Sequence, residues 1–190
     1  HPVAQLQRLL GVLSGERDGA PPAAGDLLAE EGAEITRRGG IEGPCRVVEQ
    51  SGEAEVVAGV VRAAAETFEF PDPILEVGSY LVSGQEHIAN LRELFAHKRY
   101  VGIDMRPGPG VDSVENVESL PRGDRSVGSV IALNLFEHVE RFWRGFEEVQ
   151  RILRPDGMLI VSCPFLLHIH AFPNDYWRFT PQGLQRLLVE

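Results

Sequence analysis

Two short apolar runs, each ending on a residue suited to a ligand, constrain this chain more than any other feature. The first, residues 74–77, stops at Gly78 in the stretch PILEVGSY. The second, residues 100–103, stops at Asp104 in YVGID. Between them, residues 84–98 place Ile88, Leu91, Leu94 and Phe95 at helical spacing. Strand, loop, helix and strand make a βαβ unit, which predicts parallel strands and a right-handed crossover. Ligands of such units sit at the carboxyl ends of the strands, where this sequence puts Glu76, Gly78, Ser79 and Asp104.

Gly78 falls where the backbone must turn sharply and where a Cβ would obstruct a ligand. The following helix would point its free N–H groups into the same space. Asp104 is a carboxylate at the next strand end, able to accept two hydrogen bonds from a ribose diol. Turn and acid together suggest a nucleoside-containing ligand. The plainer alternative is a βαβ unit whose glycine only makes a turn.

The chain has 190 residues, 43% hydrophobic and 24% charged, which suffices for one ordinary domain with a full core. Its formal charge of -10 disfavours broad nucleic-acid or anionic-membrane surfaces. No apolar run approaches spanning length and no targeting segment is expected, so a cytoplasmic setting without membrane contact is the expectation. Cys45 and Cys163 form no metal or redox motif and read as small residues in a reducing compartment. The sequence opens at His1 rather than methionine, as a fragment or processed chain would. Nothing in it specifies an oligomeric state.

Residues 3–13 place Val3, Leu6, Leu9, Leu10 and Leu13 on one helical face, and a Gly/Pro/Ala-rich linker over 15–25 follows. A second short helix is predicted over 27–38, stopped by Gly39 and Gly40. Residues 1–50 thus form a helical appendage packed on the main domain or a lid over its site, and residues 51–190 form the ligand-binding domain. Ser51 can cap a helix carrying Val56, Val57, Val60, Val61, Ala64 and Phe68, and Pro71 and Pro73 end it. A short third strand is predicted over 111–117, a buried fourth over 127–133 and a fifth over 158–163. A helix over 140–153 is stopped by Pro155 and Gly157, and Thr180 with Pro181 opens a last helix. This alternation predicts an α/β fold: a doubly wound, mostly parallel sheet in the order 3-2-1-4-5.

The series LEVGSY, YVGID, ENVESLP, LNLFEHV and VQRILRPDGMLIVSCPF resembles the class I S-adenosylmethionine-dependent methyltransferases, in the branch of small stand-alone domains. The resemblance covers residues 55–190, and FPNDYWRFTPQGL is similar to the region after the fifth strand in a subset of them. It implies a Rossmann-like methyltransferase fold with S-adenosyl-L-methionine as cofactor. By position it implies that Glu76, Gly78, Ser79 and Tyr80 hold the amino acid end of the cofactor. Asp104 would bind the ribose with Met105 beside the adenine, and Asn116, Val117 and Glu118 would recognise the adenine. Asn134 and Leu135 would line the methionine portion, and Glu137 and His138 match the family's Glu-His pair.

Three departures stand out. Tyr80 replaces the family's second glycine, where it either stacks on the cofactor or narrows the site. Asn116 stands where aspartate is commoner, still offering an amide oxygen as acceptor. The family usually adds two more strands, one antiparallel, after the last helix, and this sequence ends before them.

The expected activity is methyl transfer to a small molecule or saccharide, with a hydroxyl acceptor favoured. An oxygen nucleophile needs a base, and His138, His168 and His170 are the candidates, against ordinary structural roles for each. Asp175, Tyr176, Trp177 and Arg178 form a substrate wall and anion contact, or a packing and salt-bridge motif fixing the last helix. A metal held by His168, His170 and Asp175 is the weaker reading, because the family chemistry does not generally need one, and none is expected. Two alternatives come from other classes. One is a non-catalytic methyltransferase-like binding or scaffold domain of a larger biosynthetic protein. The other is an NAD-dependent dehydrogenase, disfavoured because the first turn lacks GxGxxG.

Overall fold

The apolar runs form the middle of one sheet. The computed structural model describes residues 33–37, 54–83, 89–170 and 173–189. Its strands are β1 (Ala33–Arg37), β2 (Ile74–Val77), β3 (Tyr100–Asp104), β4 (Ser113–Val114), β5 (Val127–Leu133) and β6 (Leu153–Ser162). They lie in the order β1-β6-β5-β2-β3-β4, with every pair from β6 to β4 parallel. Those five strands realise the expected 3-2-1-4-5 order.

Burial on both faces explains the unbroken apolar runs. Successive side chains on a strand point to opposite sides. Leu75, Val130, Ala132, Leu159 and Val161 therefore join one core layer with Phe146 and Val149 of α2 (Phe142–Ile152) and Leu184 of α3 (Pro181–Val189). Ile74, Ile131, Met158 and Ile160 join the other with Ala58, Val61 and Ala64 of α1 (Ala54–Thr67). Helices on both faces make the sheet doubly wound. Thr180 caps α3 as expected, its Oγ accepting from the Gly183 N–H at 3.0 Å.

Several expectations are corrected. The predicted helix over 27–38 contains β1, which runs antiparallel along β6 from Ala33↔Ser162 to Arg37↔Met158. The backbone groups on the outer edge of β6 offer a ladder, and a segment carrying β-branched Ile35 and Thr36 takes it. The other readings within residues 1–53, including the Ser51 cap, lie outside the described residues. The crossover predicted as a helix over 84–98 is, from residue 91 onward, a 3₁₀ turn, Arg92–Phe95, and residues 84–88 lie outside the described residues. The Asn90 carboxamide accepts from the Arg92 N–H, and Arg92 reaches across to the Gly110 carbonyl and Asp112, which favours a short turn.

The third strand, predicted over 111–117, is only two residues long. Asp112 turns inward to accept from the Gly102 N–H, and Asn116 begins a turn closed by the Ser119 N–H. The fifth strand begins at Leu153 rather than 158. Its pairing with β5 jumps from Val127↔Leu153 to Ser129↔Met158, so Pro155 and Gly157 sit in an irregularity where no regular ladder bond is required.

Candidate active site

The loop after β2 is built around Gly78, at φ +84°, whose N–H and that of Ser79 both donate to the Ile103 carbonyl. A Cβ at Gly78 would lie 3.2 Å from Leu135 Cδ1. The next residues are tied to the loop after β3. The Leu81 N–H donates to the Pro109 carbonyl, and the Tyr80 ring lies against Gly108 with the Arg106 guanidinium 4.5 Å from its centroid. Tyr80 thus packs within the protein while still lining the pocket.

That pocket, about 460 Å³, opens at the carboxyl ends of β2, β3 and β5. Seven of the residues expected to hold a cofactor line it: Gly78, Tyr80, Asp104, Met105, Val117, Asn134 and Leu135. Asp104 is 13% exposed, and its Oδ1 accepts from the Arg106 N–H at 2.9 Å. Asn134 adopts a left-handed φ of +48° at the end of β5, and its Oδ1 accepts from Ser162 Oγ at 2.8 Å, which fixes the amide at the pocket edge.

The other four expected residues are placed elsewhere. Ser79 is buried and, among the described residues, its hydroxyl has no hydrogen-bond partner. Asn116 accepts from the Glu118 N–H, and Glu118 pairs with Arg141. The adjacent Glu115 lines the pocket instead, clamped by Arg122 through two hydrogen bonds of 2.6 and 3.0 Å. Arg106 and Val82 also line it and were not singled out in the sequence. The phase that brings in Glu115 and turns away Asn116 depends on β4 stopping at Val114.

Glu76 is buried in the middle of the sheet and accepts from Tyr100 Oη at 2.9 Å. Burial, against the hydrogen bond from Tyr100, pushes its carboxyl from 4.5 up to about 7. A pKa raised on folding favours the protonated native state. The linked stability is fully present below pH 4.5 and is lost as pH rises through about 7. The loss amounts to about 3 kcal/mol at most by the linkage relation. Glu76→Gln should flatten that fall, measured as urea midpoints from pH 4 to 8; an unchanged slope would show that Glu76 titrates normally.

The far side of the pocket is formed by the turn Phe136–His138 and the segment after β6. The N–H groups of Tyr176 and Trp177 donate to the Glu137 carbonyl, and Trp177 Nε1 donates to the Val139 carbonyl while its ring packs on Phe142. Arg178 grips both carboxylate oxygens of Asp175 and also reaches the carbonyls of Leu167 and His168. That pairing, ahead of all other causes, holds the Asp175 carboxyl well below the usual range. Asp175, Tyr176, Trp177 and Arg178 thus carry packing and ion-pair contacts and do not line the pocket.

Of the three histidines, His138 lines the pocket, while His168 and His170 do not. His138 Nδ1 lies 2.6 Å from the Asn174 carbonyl, so that nitrogen carries the proton and Nε2 carries the lone pair. Glu137 is fully buried and, among the described residues, neither carboxyl oxygen accepts a hydrogen bond from another residue; burial pushes its pKa up to about 8.

Residues 75–161 match a family described as "Methyltransferase domain". The match runs from β2 into β6 and contains the strands whose ends form the pocket, so this part of the chain is similar to a methyltransferase domain. No curated protein matches the chain. Among solved structures, the chain is similar to a putative methyltransferase in complex with the Haloferax volcanii Trm112 methyltransferase activator. Identity is 19% over 67% of this chain and 64% of that one, with TM-score 0.49. It is also similar to a putative methyltransferase from an antibiotic biosynthesis pathway of Anabaena variabilis, at 20% identity over 70% and 58% with TM-score 0.48. A third, the trans-methyltransferase CalH in complex with SAH, is 20% identical over 56% and 35%, with TM-score 0.41. The chain spans less than two thirds of the length of each of these structures. Among the described residues, no helix is long and apolar enough to cross a membrane.

Proposed function

We propose that this chain transfers a methyl group from S-adenosyl-L-methionine to a hydroxyl of a small molecule or saccharide. The observation that carries this reading is one pocket joining Gly78, Asp104 and Asn134 to His138 across the ends of adjacent strands. A pocket of that volume falls within the range of small-molecule sites.

The residues suit the cofactor. Asp104 can accept from both ribose hydroxyls, Met105 is exposed beside it, and the missing side chain at Gly78 leaves room next to Leu135. When bound, S-adenosyl-L-methionine supplies a methyl group on a sulfonium leaving group. The chain's own task is then to hold an acceptor oxygen in line, an effect that can supply about 7–11 kcal/mol. In this reading His138, which lines the pocket, orients the acceptor hydroxyl and takes its proton at Nε2, the nitrogen not engaged with the Asn174 carbonyl.

The test is formation of S-adenosylhomocysteine in the presence of a panel of hydroxylated small molecules and sugars. With an accepted substrate, His138→Ala should lower kcat by about 100-fold or more, the usual scale of general-base effects, while affinity for S-adenosylhomocysteine changes little. Equal losses in both would mean that His138 only supports the fold. Cofactor binding without turnover on any acceptor would favour the non-catalytic reading.

A further inference from the structure

Glu137 is the least expected group in the protein. Its carboxyl group is fully buried and, among the described residues, neither oxygen accepts a hydrogen bond from another residue, which is uncommon for a buried polar group. The adjacent cation supplies none, because Arg178 spends its guanidinium on Asp175 and on the carbonyls of Leu167, His168 and Trp177. Two imidazoles face the carboxylate instead. Glu137, His138 and His170 each offer one ligand atom, all within 4.8 Å of one another, and Glu137 Oε1 lies 3.8 Å from His138 Nε2. Tetrahedral zinc ligands with bonds of about 2.1 Å lie about 3.4 Å apart, so small side-chain rotations close this set.

Both rings are also held from behind. His138 is oriented by the Asn174 carbonyl on Nδ1. His170 Nδ1 lies 3.3 Å from Asp175 Oδ2 and 3.2 Å from the His168 carbonyl, and its N–H donates to the same Asp175 oxygen. A carbonyl or carboxylate behind the ring is the usual outer shell of a ligating histidine. The rings meet edge to face with centroids 4.9 Å apart.

We propose that Glu137, His138 and His170 bind one divalent transition-metal ion, zinc foremost, at the acceptor end of the pocket. Two imidazoles and a carboxylate suit zinc, manganese, iron or cobalt and leave a coordination position open. His138 also lines the pocket, so an ion held by its ring adjoins that pocket. The inference rests on the methyl-transfer reading and narrows its acceptor to a hydroxyl compound able to coordinate. His138 then acts through the ion. The bound hydroxyl, made more acidic by the metal, releases its proton to solvent. The oxygen–carbon bond forms as the carbon–sulfur bond breaks, and S-adenosylhomocysteine leaves. This proposal departs from the metal-free expectation of the sequence reading, and takes Glu137 and His138 in place of His168 and Asp175 as ligands beside His170.

The test is titration of the chelator-treated full chain with Co²⁺, followed by its visible d–d absorption, with Zn²⁺ as competitor. One equivalent should bind and be displaced by zinc. His170→Ala, at a partly exposed position, and Glu137→Gln should each weaken binding at least about 100-fold, on the scale of lost ligand-shell contacts. No cobalt band, or a band unchanged in His170→Ala, would overturn the proposal. Titration of the same metal-free samples with S-adenosylhomocysteine separates the two claims. Cofactor binding without cobalt binding refutes the metal site alone, and cobalt binding without cofactor binding refutes the methyl-transfer reading.

Discussion

Gly102→Val should destabilise the chain by about 3–5 kcal/mol, a large share of the total stability of an ordinary domain. Gly102 lies in β3 at the point where both site-forming loops stack on the sheet. A Cβ there would stand 2.4 Å from the Gly110 carbonyl oxygen, 2.6 Å from Ser79 Oγ and 2.8 Å from an Arg92 terminal nitrogen. The first of these is backbone and cannot rotate away. Gly110 is itself at φ +85°, with no room for a Cβ of its own against the Ser79 carbonyl, so the clash cannot be relieved by shifting that turn. The substitution should also break the pairing of the Gly102 N–H with Asp112. Urea denaturation measures the loss. A change below about 1 kcal/mol, the ordinary surface range, would mean that the loops do not rest on β3 as described.

The central strands were legible in the sequence because burial on both faces leaves continuous apolar runs, and VGSVIAL over β5 is read to its bounds. The places of Gly78 and Asp104 at successive strand ends were legible because each follows directly on an apolar run, and both line the pocket. What could not be read depends on contacts made elsewhere in the chain. β1 needs the edge of β6, which exists only once the sheet has formed. The inward turn of Asp112 toward Gly102 shortens β4, and that length decides whether Glu115 or Asn116 faces the pocket. Glu76 sits one residue from Val77, which lines the pocket, but alternation along β2 points it to Tyr100. The burial of Glu137 requires a segment nearly forty residues later, tied back by the N–H groups of Tyr176 and Trp177. The role of DYWRFT was left between pocket wall and packing motif, and its observed contacts are of the packing kind.

Asp104→Ala should remove most of the affinity for the cofactor at little cost to the fold. Asp104 sits at the edge of the sheet, and its recorded partners are the backbone and side chain of Arg106, close to solvent. On the proposed reading its carboxylate accepts two charge-assisted hydrogen bonds from a ribose, each worth about 1.5–3 kcal/mol. Losing both weakens binding by about 100-fold or more. Thermal unfolding with and without S-adenosylhomocysteine reads this directly, because a ligand bound only to the native state raises the midpoint by mass action. The variant should melt near the parent in buffer and lose the ligand-induced rise. A rise equal to the parent's would place the ribose elsewhere.

Calorimetric titration of the unmodified chain with S-adenosylhomocysteine, alongside NAD, tests the central claim most directly. The pocket at the ends of β2, β3 and β5 predicts saturable binding of one S-adenosylhomocysteine per chain and no saturable heat with NAD, since the turn at Gly78 lacks the glycines that admit a pyrophosphate. Saturation by NAD, or no binding of S-adenosylhomocysteine, would contradict the account.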